Sequence, residues 1–405
     1  MAARKPRLLV LTSTFPRWQN DTEPPFVYEL CRRMTDDFDI TLLAPRAPGS
    51  MDREEMDGLH VIRFPYFFRR WENLATHGGG ILNRLRTKPL NYLLLPLFLV
   101  GQLTALTRLV RRERYQLIHA HWLIPQGLSA VVTRTLANRD MPLVCTSHGG
   151  DLYALRGALL KRLKTGIMHR SHLITVVSTA MSEQVLRMGI PRDKIRVIPM
   201  GVDLQQRFTP DASANRGNAD LLFVGRLVEK KGLDTLLRAL PAVITGHPSV
   251  RLVIAGGGPL ETELRVLAER LGVADRVDFL GLVAQPELPD LYRRATLFVA
   301  PFQIADTGDQ EGHPVALVEA SGCQCPLICG AIPATEDIEH GKTGLRIAPG
   351  DSNALAGAIV SLLDDPSLRS RLANAALERC RKSFDWERIA MEYRKELTNL
   401  VGQVP

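Results

Sequence analysis

Two doubly wound α/β domains, each a parallel sheet flanked by helices, are predicted by three features of this sequence. Its 405 residues exceed the ~250 to 300 that one hydrophobic core usually serves. Apolar runs of four to seven residues recur in both halves, separated by stretches of helical periodicity, which is the pattern of strands covered on both faces. A polar stretch broken by Pro210 and Gly217 stands between the halves and reads as a linker. The expected organisation is a first domain over 1–203, a linker over 204–219, a second domain over 220–384 and a closing helical segment over 385–405.

In chain order, MAARKPRLLVLTSTFP has a basic start, but its apolar run LLVL is too short for a signal-peptide core and reads as a first buried strand. DITLLAP, PLVCTSH and LITVVS continue the first sheet. Pro89–Tyr115 holds the most membrane-like stretch, interrupted by Asn91, Pro96 and Gln102 and therefore short of the ~20 clean residues a span needs. Its end carries Arg108, Arg111, Arg112 and Arg114, so it reads either as a core helix with a solvated basic end or as a peripheral contact with an anionic membrane. DLLFVGR, RLVIAGG, RVDFLG, TLFVAP and PLICG build the second sheet, and FDWERIAMEYRKELTNLV is a closing helix expected to pack back on the first domain.

Charge divides the halves: residues 1–200 carry 29 basic against 16 acidic side chains, and 201–405 carry 22 against 27. The basic half is suited to an anionic partner, and without a nucleic-acid signature that partner is not expected to be nucleic acid. Six cysteines without a disulfide framework suit a reducing cytoplasm. Cys323, Cys325 and Cys329 lack a CxxC pair and read as buried thiols, while Asp37 and Asp39 precede a strand at its amino edge and read as a surface turn. No metal site is expected.

Ligands of open α/β sheets bind at the carboxyl ends of strands. There the sequence places His148, Gly149, Gly150 and Asp151 after PLVCTS, then Arg226 and Lys231 after LLFVG. Gly256, Gly257 and Gly258 follow RLVIA, and a long loop ending at Glu311 follows TLFVAP. Two cations around RLVEKKG suit a diphosphate, which Arg can hold bidentately and Lys as a point charge. GGGPLE is not a dinucleotide fingerprint, because Glu261 stands where its third glycine is required.

EGHPVALVE separates Glu311 from Glu319 by seven residues with little polar between them. Pro314 suits the first turn of a helix, which puts Glu311 in the loop before it and Glu319 more than a turn inside. The helix start, with its unpaired N–H groups, suits a phosphate. Glu319 then suits ribose hydroxyls, and Glu311 the group beyond the diphosphate.

GRLVEKKGLDTLL, LVIAGGGPLETEL, the pair Glu311 and Glu319, ASGCQCPLI, HGKTGL and PMGVD at 199–203 occur in an order that resembles the retaining glycosyltransferases of family 4, of GT-B fold. The resemblance runs over nearly the whole chain. It implies retaining transfer of a hexose from a UDP- or GDP-linked sugar to a polysaccharide or lipid-linked saccharide acceptor in cell-surface glycan synthesis, with no cofactor and no divalent metal. It further implies that Arg226 and Lys231 hold the diphosphate, Glu319 the ribose and Glu311 the transferred sugar, with His148 near the sugar or the scissile bond. Gly257, Gly258, Gly312, His313 and Pro314 would complete the donor pocket. Where that family has an early glycine-rich loop, this chain has FPRWQNDTEPPFVYEL, with Asn20, Asp21 and Glu23 to Pro25 in it. A nucleotide-sugar epimerase or hydrolase, and a nucleotide-sugar-binding assembly protein without turnover, remain as alternatives.

Overall fold

The computed structural model describes residues 5–402 except 20, 22, 76–79, 215 and 217–219, so Asn20 and Gly217 lie outside the described residues. The chain divides into two compact units, Met1–Pro199 with Glu387–Pro405, and Met200–Trp386.

Among the described residues the first unit carries eight strands: β1 (Arg7–Leu11), β2 (Asp39–Pro45), β3 (Arg53–Met56), β4 (Leu59–Phe64), β5 (Leu117–His121), β6 (Leu143–Ser147), β7 (Leu173–Val176) and β8 (Ile195–Val197). Their order is β3-β4-β2-β1-β5-β6-β7-β8, parallel throughout except for β3, which pairs antiparallel with β4 at the edge. The sequence reading missed β5 because LIHAH interrupts its apolar run with two histidines. All five of its residues are nevertheless buried. His119 and His121 share one face of this strand by its two-residue period.

In the closing helix Trp386–Val401, Tyr393 is 3% exposed, with its hydroxyl 3.4 Å from Thr146 Oγ1 and 3.3 Å from Thr175 Oγ1. Arg394 donates to the Arg33 carbonyl at 2.7 Å and pairs with Asp37 at 3.2 Å. These contacts tie the last helix to the first unit. They also give Asp37 a plain electrostatic partner, as Arg7 does for Asp39 at 3.4 Å.

The second unit carries β9 (Asp220–Val224), β10 (Arg251–Ala255), β11 (Val277–Gly281), β12 (Leu297–Ala300), β13 (Leu327–Gly330) and β14 (Leu345–Ile347), all parallel in the order β11-β10-β9-β12-β13-β14. The segment expected as a linker is not one over its first residues. Leu204 and Phe208, four apart, are each 3% exposed in the core of this unit. A Cβ on Gly322 would stand 2.5 Å from Leu204 Cδ2 and 2.6 Å from the Phe208 carbonyl, which explains a small residue there.

Order between β9, β10 and β12 fixes the loops that matter. Leaving the centre of the sheet, β9 runs to Gly225, whose φ of 155° extends the turn, and a Cβ on Gly256 would meet the Gly225 carbonyl at 1.9 Å. Gly232, at φ 67°, caps the helix Leu233–Gly246, and a Cβ there would sit 1.9 Å from the Pro301 carbonyl. Only a glycine accepts both the backbone angle and that approach.

Candidate functional site

In the second unit the turn after β9 and the turn after β10 are pressed together. Leu227 N donates to the Gly257 carbonyl at 3.0 Å, and a Cβ on Gly258 would lie 2.5 Å from the Leu227 carbonyl. Half-buried Arg226 lies in the first of these turns. Lys231 follows in the short 3-10 turn Glu229–Lys231, its Nζ 4.9 Å from the centre of the Phe302 ring and 3.4 Å from Glu311 Oε1. Lys230, which sequence reasoning passed over, stands 3.5 Å from the same oxygen and 3.3 Å from Asp309 Oδ1. The doubled lysine in RLVEKKG was the available signal, since a tight turn can direct consecutive side chains at one target.

Burial would push Glu311 up, but Lys231 and Lys230 outweigh that and hold its carboxyl down at about 2. Burial lowers Lys231, against the attraction of Glu311. Glu311 is thus an ionised group held between two lysines at the mouth of the loop.

The helix that follows runs Val315–Gly322 with Pro314 at its N-cap, and no side chain caps its first turn. That leaves its leading N–H groups and positive end for a ligand. Glu319, one turn in, is 8% exposed and accepts a hydrogen bond from the Tyr292 hydroxyl at 2.9 Å. Burial pushes Glu319 above the usual carboxylate range, with the Tyr292 bond and the attraction of Arg207 opposing the shift. Nothing in the sequence marked Tyr292; it reaches Glu319 only through the fold. The two acids therefore sit in opposite environments, one stabilised as an anion and one penalised, the pattern expected of groups with different tasks.

Gly312 is buried in the loop between Glu311 and this helix. His313 packs on Phe384 with ring centres 5.2 Å apart, and its two ring nitrogens meet no hydrogen-bond partner among the described residues. Burial pushes His313 down to about 4, so it is neutral near pH 7. Cys323, Cys325 and Cys329 are fully buried, and burial raises each thiol to about 12. They are protonated core residues. Among the described residues no three His, Cys, Asp or Glu side chains are grouped to hold a metal ion.

His148 belongs to the first unit, just past β6. Its Nε2 is 3.0 Å from His121 Nδ1, and the two rings stack with centres 5.3 Å apart. Phe26 and Trp122 enclose it at 4.8 and 4.9 Å between ring centres. Trp122 holds a φ of 74°, uncommon for a bulky residue and placed beside a candidate catalytic group. Burial pushes His148 down to about 3. Asp151 is buried in the turn, accepting from Leu123 N at 2.7 Å and from the Ser147 hydroxyl at 2.8 Å. His119 extends the histidine group inward, 2.7 Å from Thr146 Oγ1. The structure thus brings Lys231 and Glu311 together in the second unit, with Arg226 in the turn after β9 and Glu319 inside the helix Val315–Gly322 of the same unit, and holds His148 in the first unit with His121.

The atypical segment after β1 is closed by its own charges. Arg17 Nε donates to Asp21 Oδ2 at 2.7 Å, and Arg63 donates to the Pro16 carbonyl at 2.7 Å while pairing with Glu54 at the same distance. Internal ion pairs order a loop that has no glycines.

Comparison with known proteins agrees with this architecture. Residues 205–379 match the family of group 1 glycosyl transferases, and residues 25–206 match Glycosyltransferase Family 4. Over 279 residues the chain is 31% identical to a GDP-mannose-dependent alpha-(1-6)-phosphatidylinositol monomannoside mannosyltransferase of Mycobacterium tuberculosis, covering 66% of this chain and 70% of that one. Over 290 residues it is 30% identical to a glycogen synthase of the same organism, covering 69% and 68%. Among solved structures, sucrose-phosphate synthase from Thermosynechococcus elongatus superimposes with a TM-score of 0.77 at 23% identity, covering 98% of this chain and all of that one. Anabaena HepE in complex with UDP and glucose superimposes at 0.72 and 20% identity, covering 97% and 99%. Two parallel-sheet α/β domains with this succession of strand-end motifs have the GT-B fold, and the chain belongs to the family 4, group 1 glycosyltransferases.

Proposed function

We propose that this protein is a retaining hexosyltransferase that takes its sugar from a UDP- or GDP-linked donor and passes it to a polysaccharide or lipid-linked saccharide in cell-surface glycan synthesis, on the cytoplasmic side. The observation that carries the reading is the contrast between the two acids on either side of one uncapped helix start: Glu311 ionised between Lys230 and Lys231, Glu319 buried on Tyr292. The similar mannosyltransferase is named for GDP-mannose and the HepE structure contains UDP, and both donor types suit such a site.

In this reading Arg226, Lys231 and the first N–H groups of the helix Val315–Gly322 bind the diphosphate. The bond from sugar C1 to the phosphate oxygen breaks, and these groups stabilise the negative charge that gathers on the departing diphosphate, without a divalent metal. Glu319 accepts from the ribose hydroxyls. Glu311 accepts from hydroxyls of the sugar and stabilises positive charge at C1. The Gly257 and Gly258 turn lets the backbone approach the nucleotide, while Gly312, His313 and Pro314 shape the sugar pocket. The acceptor hydroxyl forms the new bond to C1 on the face the phosphate leaves and passes its proton to the oxygen of the departing diphosphate, with neutral His148 as a hydrogen-bonding group for the sugar.

The test is proton NMR of the product from an α-linked donor and a saccharide acceptor. The expected product keeps the α configuration at C1 and forms only with acceptor present. A β-linked product overturns retention, and free sugar or an epimer formed at full rate without acceptor favours a hydrolase or epimerase.

A further inference from the structure

Three imidazoles of the first unit stand together where one would serve. His119 and His121 belong to β5 and are buried, and His148 follows β6, the strand paired with it. Burial pushes His121 well below its ordinary value and His119 and His148 down to about 3, so each ring is neutral. A neutral imidazole has one N–H and one bare nitrogen, and its neighbours decide which is which.

His148 Nε2 and His121 Nδ1 face each other at 3.0 Å, so one of them donates. Among the described residues the other nitrogen of each ring, His148 Nδ1 and His121 Nε2, has no hydrogen-bond partner. If His148 donated, the unmatched N–H would be His121 Nε2–H, on a strand residue that is 1% exposed and that no ligand reaches. If His121 donates, the unmatched N–H is His148 Nδ1–H, on a half-buried residue past the carboxyl end of β6, where a substrate oxygen can accept it. A buried N–H left permanently without an acceptor is costly, which favours the second arrangement.

The remaining histidine backs this pair. The His119 ring lies 4.3 Å from that of His121 and 5.5 Å from that of Tyr393, between centres. Its Nε2 is 2.7 Å from Thr146 Oγ1, which in turn is 2.5 Å from Thr175 Oγ1, and the Tyr393 hydroxyl closes the group at 3.4 and 3.3 Å from the two threonines. His121 therefore packs between a hydrogen-bonded ring on one side and His148 on the other. A side chain fixed in this way can set the angle and the proton of its neighbour.

We propose that His121 is a positioning residue: it donates from Nδ1 to His148 Nε2 and so keeps the proton of His148 on Nδ1, as the donor a substrate oxygen meets. The proposal rests on the role given to His148 in the transfer, and its first test needs no reaction. Nitrogen-15 NMR of the histidine-labelled full chain, with His148 assigned by the signals lost in His148→Ala, should show Nδ1 protonated and Nε2 bare. Kinetics then use two amides of similar polarity. The His121→Asn amide falls where Nδ1 stands and should keep kcat within about threefold, whereas the His121→Gln amide falls near Nε2 and should lower kcat by about tenfold or more, with donor Kd unchanged. Thermal melting of each variant separates this from unfolding, since both amides occupy the same buried position. A parent His148 protonated on Nε2 would overturn the proposal, as would full turnover in His121→Gln or equal losses in the two variants. Full turnover in His148→Ala would instead overturn the role of His148, while the spectrum still reports how the pair is arranged.

Discussion

Lys231→Ala and Arg226→Ala are each expected to lower kcat/KM for the nucleotide-sugar donor by roughly 10²- to 10³-fold, about 2.7 to 4 kcal/mol of transition-state stabilisation, the usual cost of losing one preorganised charge-stabilising group. Lys231 is the sharper case. Its side chain is 14% exposed, so the charge acts in a medium that screens it weakly, and Gly225 leaves its Cε only 3.4 Å from the position of a Cβ. Holding a lysine there costs solvation, which is why burial lowers its pKa. A cation kept under that penalty, with one acid as its neighbour, is suited to receive more negative charge than Glu311 supplies. Lys230→Ala serves as the comparison: Lys230 is already bound to Asp309 and the Gln310 carbonyl at 3.3 and 3.2 Å, so its loss should disturb the loop more than the diphosphate. Steady-state kinetics with donor varied, beside thermal melting of each variant, separates the two. Unchanged donor affinity and turnover in both Lys231→Ala and Arg226→Ala would remove them from the site.

Glu319→Gln and Glu311→Gln should divide along different lines. Glu319→Gln keeps an acceptor for the Tyr292 hydroxyl but removes the charge that ribose hydroxyls would meet, so donor Kd and KM should rise by roughly 10- to 150-fold, the 1.5 to 3 kcal/mol of a hydrogen bond to a charged group, with kcat little changed. Its effect on stability should run the other way. The folded pKa of Glu319 lies above the ordinary 4.5, so its ionisation opposes folding as the pH rises past that value, and the neutral variant should melt at or above the parent at pH 7. Glu311→Gln should instead lower kcat by about 10²-fold or more. Glu311 is held at about 2 against an ordinary 4.5, so its stabilising contribution is complete above pH 4.5 and is lost as the pH falls toward 2. It is therefore ionised throughout the neutral range, and no acid limb of the rate profile belongs to it. The same variant should flatten the loss of melting temperature below pH 4.5. Equal effects of the two substitutions on Kd and kcat would contradict the division of roles.

That division also shows what the sequence could and could not carry. The strand ends were legible because a buried parallel strand writes a continuous apolar run, and whatever follows it lies at the ligand-binding edge: Arg226, Gly257 and Glu311 were all located this way. The start of the helix at Pro314 was legible from proline's fixed φ. β5 was not, because its buried histidines, His119 paired with Thr146 and His121 with His148, look polar in a sequence. The beginning of the expected linker failed for the opposite reason: its two apolar residues, Leu204 and Phe208, are outnumbered by polar neighbours, yet both are buried in the core of the second unit. Tyr292 and His121 act through partners 27 residues away, and no local pattern encodes a contact at that separation. Charge identity is a local property of sequence, whereas the pKa of a charge is a property of the fold.

The central claim, a donor site built on the second unit, is tested most directly by isothermal titration of the purified chain with a panel of UDP- and GDP-linked hexoses. The expected result is saturable binding of at least one of them at one site per chain, abolished in Lys231→Ala. Absence of binding for the whole panel by a folded chain, or equal binding to the parent and to Lys231→Ala, would contradict it.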